Sequence, residues 1–127
     1  MSQPGTITAH VYTSRAQIPV AGATVAVSQR LGGKRHTLLA IRVTDENGEI
    51  PPIPVPAPQG SETPGKDVPF SSLDVRVEHP DYQMEIIEGI QIFPGISSLQ
   101  EVQLIPLAEH AIPRNTYHVV NITPQPL

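Results

Sequence analysis

Apolar and polar residues alternate with period two along most of the chain, the pattern of strands with one buried face. Over residues 5–13, Ile7, Ala9 and Val11 fall on one side while Thr6, Thr8, His10 and Tyr12 fall on the other. A connection through Pro19 leads to a second strand with Ala23, Val25 and Val27 inward and Thr24, Ala26 and Ser28 outward. Leu31-Gly32-Gly33-Lys34-Arg35 is a hairpin tip, and Leu39, Ile41 and Val43 form the expected inner row of a third strand. The next element closes on Thr44-Asp45-Glu46-Asn47-Gly48-Glu49. There the Asp and Asn side chains can bond local backbone N–H groups, and Gly48 can take positive φ.

Further on, the prolines at 51, 52, 54, 56 and 58 exclude a central strand and predict an edge strand or polyproline segment. Residues 59–69 read as the longest surface loop. Leu73, Val75 and Val77 then alternate with an outer row of Asp74, Arg76 and Glu78. His79-Pro80-Asp81-Tyr82 turns the chain into a stretch from Met84 to Phe93 with Ile90 and Ile92 inward and a break near Glu88-Gly89. After the turn at Pro94-Gly95, Val102 and Leu104 mark a last core strand. About seven short strands predict an all-β fold, an antiparallel β-sandwich over residues 1–106. Residues 107–127 follow as an extended C-terminal arm, in which Tyr117 to Ile122 can form a short strand. That arm is expected to lie along a sheet surface or edge of its own domain or of a neighbouring subunit, an assembly role favouring the neighbour.

Composition narrows the function. The 15 prolines among 127 residues argue against helices, and zero cysteines exclude disulfides and thiolate chemistry. A net charge of −4 is unsuited to a nucleic-acid partner. No apolar run reaches the length of a membrane span, so no membrane insertion is expected. The first residues show no basic or apolar leader pattern, so the compartment stays open.

The segments Gly5-x-Ile7-x-Ala9-x-Val11, Pro19-Val20-x-Gly22-Ala23-x-Val25-x-Val27 and Thr44-Asp45-x-x-Gly48 resemble bacterial carboxypeptidase regulatory-like domains of the transthyretin-like sandwich group. Val75-x-Val77 with Tyr82, and Val102-x-Leu104-x-Pro106, extend the likeness to about residue 106. With the proline-rich stretch and Phe93-Pro94-Gly95-Ile96, the chain looks most like versions associated with cell-wall and spore-cortex proteins. The resemblance implies a non-catalytic module that stabilises, positions or binds.

Few residues suggest chemistry. His10 also resembles a strand histidine of the transthyretin-related hydrolases acting on 5-hydroxyisourate, and histidine suits water activation by its pKa. Those enzymes have an arginine after the turn glycine, where this chain has Glu49, and end in Tyr-Arg-Gly-Ser, where it has Thr123-Pro124-Gln125-Pro126-Leu127. The ordinary reading of His10 is an outward histidine on a contact face. Asp45, Glu46, Asn47 and Glu49 lack calcium-loop spacing and read as a solvated turn, while His36, His79 and His110 have no partner histidine nearby in sequence. No cofactor and no metal is therefore expected. The Asp74, Arg76, Glu78 row reads as a cross-strand salt-bridge ladder or a polar recognition face. The candidate interaction residues are His10, Tyr12, Asp74, Arg76, Glu78, Tyr117, Val119 and Ile122, in a module of a bacterial envelope, spore or other assembly. A protein partner or self-association is expected, and a glycan is a weaker alternative because exposed aromatics to stack on sugars are scarce.

Overall fold

The period-two segments become eight strands in a computed structural model that describes residues 4–14, 16–32, 34–56, 70–107 and 117–121, the backbone alone at 117–119 and 121. In chain order they are β1 (Gly5–Thr13), β2 (Thr24–Gly32), β3 (Arg35–Val43) and β4 (Ile53–Val55), then β5 (Ser71–Glu78), β6 (Met84–Ile92), β7 (Ser97–Leu104) and β8 (Tyr117–Asn121). No helix occurs among the described residues, and the loop expected at 59–69 lies outside them. The strands form two sheets, β4-β1-β7 and β3-β2-β5-β6-β8, which is the β-sandwich that the alternation predicts.

Two pairings depart from a purely antiparallel plan. β7 runs parallel to β1 over Thr6–Thr13, and β8 runs parallel to β6 over Met84–Glu88. A parallel neighbour needs a crossover rather than a hairpin, so adjacency in sequence cannot reveal it. The arm strand β8 extends the edge of its own domain's sheet. β4 also behaves as its prolines require: it is three residues long, lies at a sheet edge, and buries Ile53 and Val55 while Pro54 faces out.

The core between the sheets is aliphatic. Ile7, Ala9 and Val11 of β1 meet Val25 and Val27 of β2, Leu73, Val75 and Val77 of β5, Ile87, Ile90 and Ile92 of β6, and Val102 and Leu104 of β7. Met84–Ile92 is one strand, not two: the break sensed at Glu88-Gly89 is a register shift opposite Asp74, with Gly89 at φ 78°.

The inner row expected for β3 is not the one observed. A bulge falls between Val27 and Ser28, which face Ala40 and Leu38 respectively and leave Leu39 as the extra residue. Beyond it, Ala40 and Arg42 stand opposite the buried Val27 and Val25, and Ile41 and Val43 turn to the outer face. Slipping one residue moves a whole row across a sheet. Three strands cannot cover five, and β3 at the sheet end adds only Leu39 and Ala40 to the margin of the core.

The quoted sequence motifs meet in one clamp. The Thr44 hydroxyl donates to the Val20 carbonyl at 2.7 Å and accepts from the Ala23 N–H at 2.9 Å. The Gly22 N–H donates to the Thr44 carbonyl at 3.0 Å, and the Thr44 N–H returns to Ala23 at 2.9 Å. Asp45 holds the turn: one carboxylate oxygen accepts from the N–H groups of Asn47 at 2.8 Å and Glu49 at 3.0 Å. Gly48 sits at φ 73° with its carbonyl bound to the Val11 N–H at 2.7 Å, and a Cβ there would run into the Val11 carbonyl oxygen.

Candidate functional site

The outer face of β3 is where the structure leaves apolar surface without cover. Leu38, Ile41 and Val43 are 55%, 52% and 61% exposed. They form a stripe along a strand of 9 residues whose far edge no described strand pairs with. Single exposed aliphatics are ordinary, but a row of them on a long unpaired edge invites another chain. The Arg42 guanidinium donates to the Ile41 carbonyl at 3.0 Å.

Beside this stripe lies an ion cluster centred on Asp74. The Arg30 Nε–H donates to both Asp74 oxygens at 3.1 and 3.2 Å. His36 Nε2 lies 3.2 Å from Oδ2, and the Gly89 N–H donates to Oδ1 at 3.1 Å. Glu88 approaches the same arginine at 3.8 Å. One carboxylate therefore ties β2, β3, β5 and the β6 bulge together, with more donors than its position in β5 suggests. Ala26, Ser28, His36, Leu38, Arg76 and Ile86 rim a shallow depression of about 210 Å³ over it. Arg76 pairs at 3.1 Å with Glu78 of its own strand rather than across strands, and both are half exposed, so that pair adds little.

The expected interaction residues thus lie on separate surfaces. Asp74, Arg76 and Glu78 share the outer face of the five-stranded sheet with the β3 stripe. His10 and Tyr12 lie on the outer face of the other sheet, their rings 5.5 Å apart. Tyr117 and Val119 lie in β8 beside β6, and Ile122 lies outside the described residues. On its own sheet His10 stands between two carboxylate residues, opposite Glu49 on one side and Glu101 on the other. No group of three or more His, Asp or Glu close enough to hold a metal occurs among the described residues.

Residue-by-residue reading missed Arg30, Leu38, Ile41 and Val43 as surface groups. One signal was present: residues 1–44 contain five of the chain's eight Lys and Arg and none of its 12 Asp and Glu. That segregation places cationic charge around β2 and β3.

No protein-family model matches the chain, and no curated protein matches it. Among solved structures it is similar to a "putative carbohydrate binding protein" from Bacteroides uniformis ATCC 8492, with TM-score 0.54, 13% identity and 82% of this chain covered. It is similar also to an (S)-allantoin synthase, with TM-score 0.52, 12% identity and 84% of this chain covered. The chain spans 42% of the length of each. At such identity the likeness is one of fold alone.

Proposed function

We propose that the chain is a non-catalytic β-sandwich module that works by protein–protein contact within a bacterial assembly, with the outer face and edge of β3 as its contact surface. The carrying observation is the exposed row Leu38, Ile41 and Val43 on an unpaired edge strand. The sequence resemblance to carboxypeptidase regulatory-like domains supports the same reading and suggests the cell envelope or spore as its setting. A hydrolase acting on an anionic, urate-like substrate is disfavoured, since His10 has Glu49 and Glu101 as cross-strand neighbours where such a substrate wants a cation. The test is capture from native extract with the wild type and with Leu38→Glu/Ile41→Glu as baits, both checked for folding by circular dichroism. Specific proteins held by the wild type and lost from the variant support the reading. The same proteins on both baits, or none on either, defeat it.

A second reading rests on the tilted ring pair of His10 and Tyr12, an amphipathic patch on which a sugar ring can stack. The name of the Bacteroides protein fits it. Titration with cell-wall oligosaccharides, followed by NMR shifts that Tyr12→Ala removes, would favour it over protein contact.

A further inference from the structure

Resting on the contact reading, we infer that the partner of β3 is a second copy of this chain, bound head to tail: the cationic β3 edge of one copy meets the acidic β7 edge of the next.

Charge argues for this. Lys34, Arg35 and Arg42 lie on β3 or its hairpin and enter no ion pair among the described residues, and no Asp or Glu precedes Asp45 in the chain. The opposite side of the molecule has the reverse character. From residue 77 to 107 there is no Lys or Arg, and of the acids in that span Glu101 stands on β7 while Glu85 lines the cleft beside it. β7 ends its sheet just as β3 ends the other, and Glu101 is exposed on it. Pairing β3 with β3 about a two-fold axis would gather Lys34, Arg35 and Arg42 of both copies on one seam, where Arg35 of one can face Arg42 of the other. Pairing β7 with β7 would likewise bring two Glu101 side chains to one seam. Like charges brought together suppress a contact, and opposite ones steer it, so the heterologous pairing is favoured.

Shape agrees with charge. Along β7 runs an open cleft of about 270 Å³, walled by Ile87, Val102, Ile105 and Val120 with Glu101 at its lip. Leu99, also on β7, is 60% exposed. The cleft offers apolar walls to Leu38 and Ile41 of the incoming strand, and Glu101 offers a counter-charge to Lys34, Arg35 or Arg42. A head-to-tail dimer still has one free edge of each kind, so association continues past the dimer into a ring or a filament.

Sedimentation velocity on the purified full chain tests this. Average mass should rise with concentration beyond that of a dimer, and fall in about 1 M salt, where the screening length is ~3 Å. Lys34→Glu/Arg35→Glu should sediment as a monomer, and so should Glu101→Lys. Mixing those two proteins, or combining all three changes in one chain, should restore association. A wild type that stays monomeric at every concentration overturns the inference. So does association abolished by the β3 changes but untouched by Glu101→Lys, which would mark a two-fold β3 contact. The capture experiment separates the two levels: a monomeric wild type that still loses its bound proteins on Leu38→Glu/Ile41→Glu leaves the contact reading standing and this one overturned.

Discussion

The clamp around Thr44 and the ribbon of β3 are consecutive in the chain and opposite in design. In the clamp, the backbone groups of Val11, Val20, Gly22, Ala23, Thr44, Asp45 and Gly48 are joined by hydrogen bonds to one another, to the Thr44 hydroxyl and to the Glu49 carbonyl, and Val20, Ala23 and Thr44 are buried. On β3, three aliphatic side chains are more than half in solvent, forgoing about half of the roughly 1.5–3 kcal/mol apiece that full burial would supply. One region spends its residues on a single geometry. The other keeps surface in reserve, which is sensible only if something covers it. Changes in the clamp should therefore cost stability, and changes on the stripe should cost association.

The largest expected effect comes from Gly48. An alanine there must hold φ 73° and also push its Cβ against the Val11 carbonyl. Strain of this kind costs about 1–3 kcal/mol, and the backbone clash adds to it. Urea unfolding of Gly48→Ala should show a loss of roughly 3 kcal/mol or a failure to fold. A midpoint within error of wild type would mean that the turn is not anchored on β1. Thr44→Val comes next. It keeps the shape but strands the Ala23 N–H and the Val20 carbonyl in the buried clamp. Each such orphan costs at least about 1 kcal/mol, so about 2 kcal/mol or more in total is expected from the same measurement.

At the boundary of the two regions, Asp74→Ala should cost less, roughly 1–2 kcal/mol. It removes a mostly buried, charge-assisted acceptor for Arg30 and the Gly89 N–H, yet those donors can turn partly to water. Thermal melts sharpen the comparison here. If Asp74 only decorates the surface, the melting temperature will not move. If it pins the β6 bulge and the end of β3, Arg30→Ala will reproduce part of the loss, and the two changes will not add.

How much of this was legible in the chain follows from where the evidence for each element sits. Ile7, Val11, Val25, Val75 and Val77 could be read because both neighbours in each strand alternate cleanly and the strand is covered by the facing sheet. The turn at Asp45–Gly48 was legible because its side chains act on backbone within four residues. Ile41 and Val43 were misplaced because a bulge at Leu39 reverses the phase, and a bulge shows only against the partner strand. The parallel places of β7 and β8 depend on long crossovers. The Asp74 cluster joins residues 44 apart in sequence to Arg30, a distance across which no local pattern speaks. The run of cations without acids that marks β3 was in plain view, but it acquires meaning only once the topology sets Arg35 and Arg42 on one sheet edge and Glu101 on another.

The smallest expected effect on stability carries the most about function. Ile41→Ser and Val43→Ser shorten side chains that are already more than half in water, so the folded state loses little burial. Serine also keeps the backbone donors and acceptors of β3, and its lower strand propensity is a minor cost at an edge. Unfolding free energies should stay within about 0.5 kcal/mol of wild type, as for surface substitutions away from special features. Association should respond in the opposite proportion, because an apolar side chain buried centrally in a contact carries a disproportionate share of its energy. A serine variant that unfolds readily would mean that the stripe belongs to the core after all. One that is equally stable and equally associated would mean that β3 is exposed without being used. Stability unchanged with association weakened at least tenfold, about 1.4 kcal/mol, is the outcome that makes the ribbon a contact surface and leaves the clamp as the part that only holds it in place.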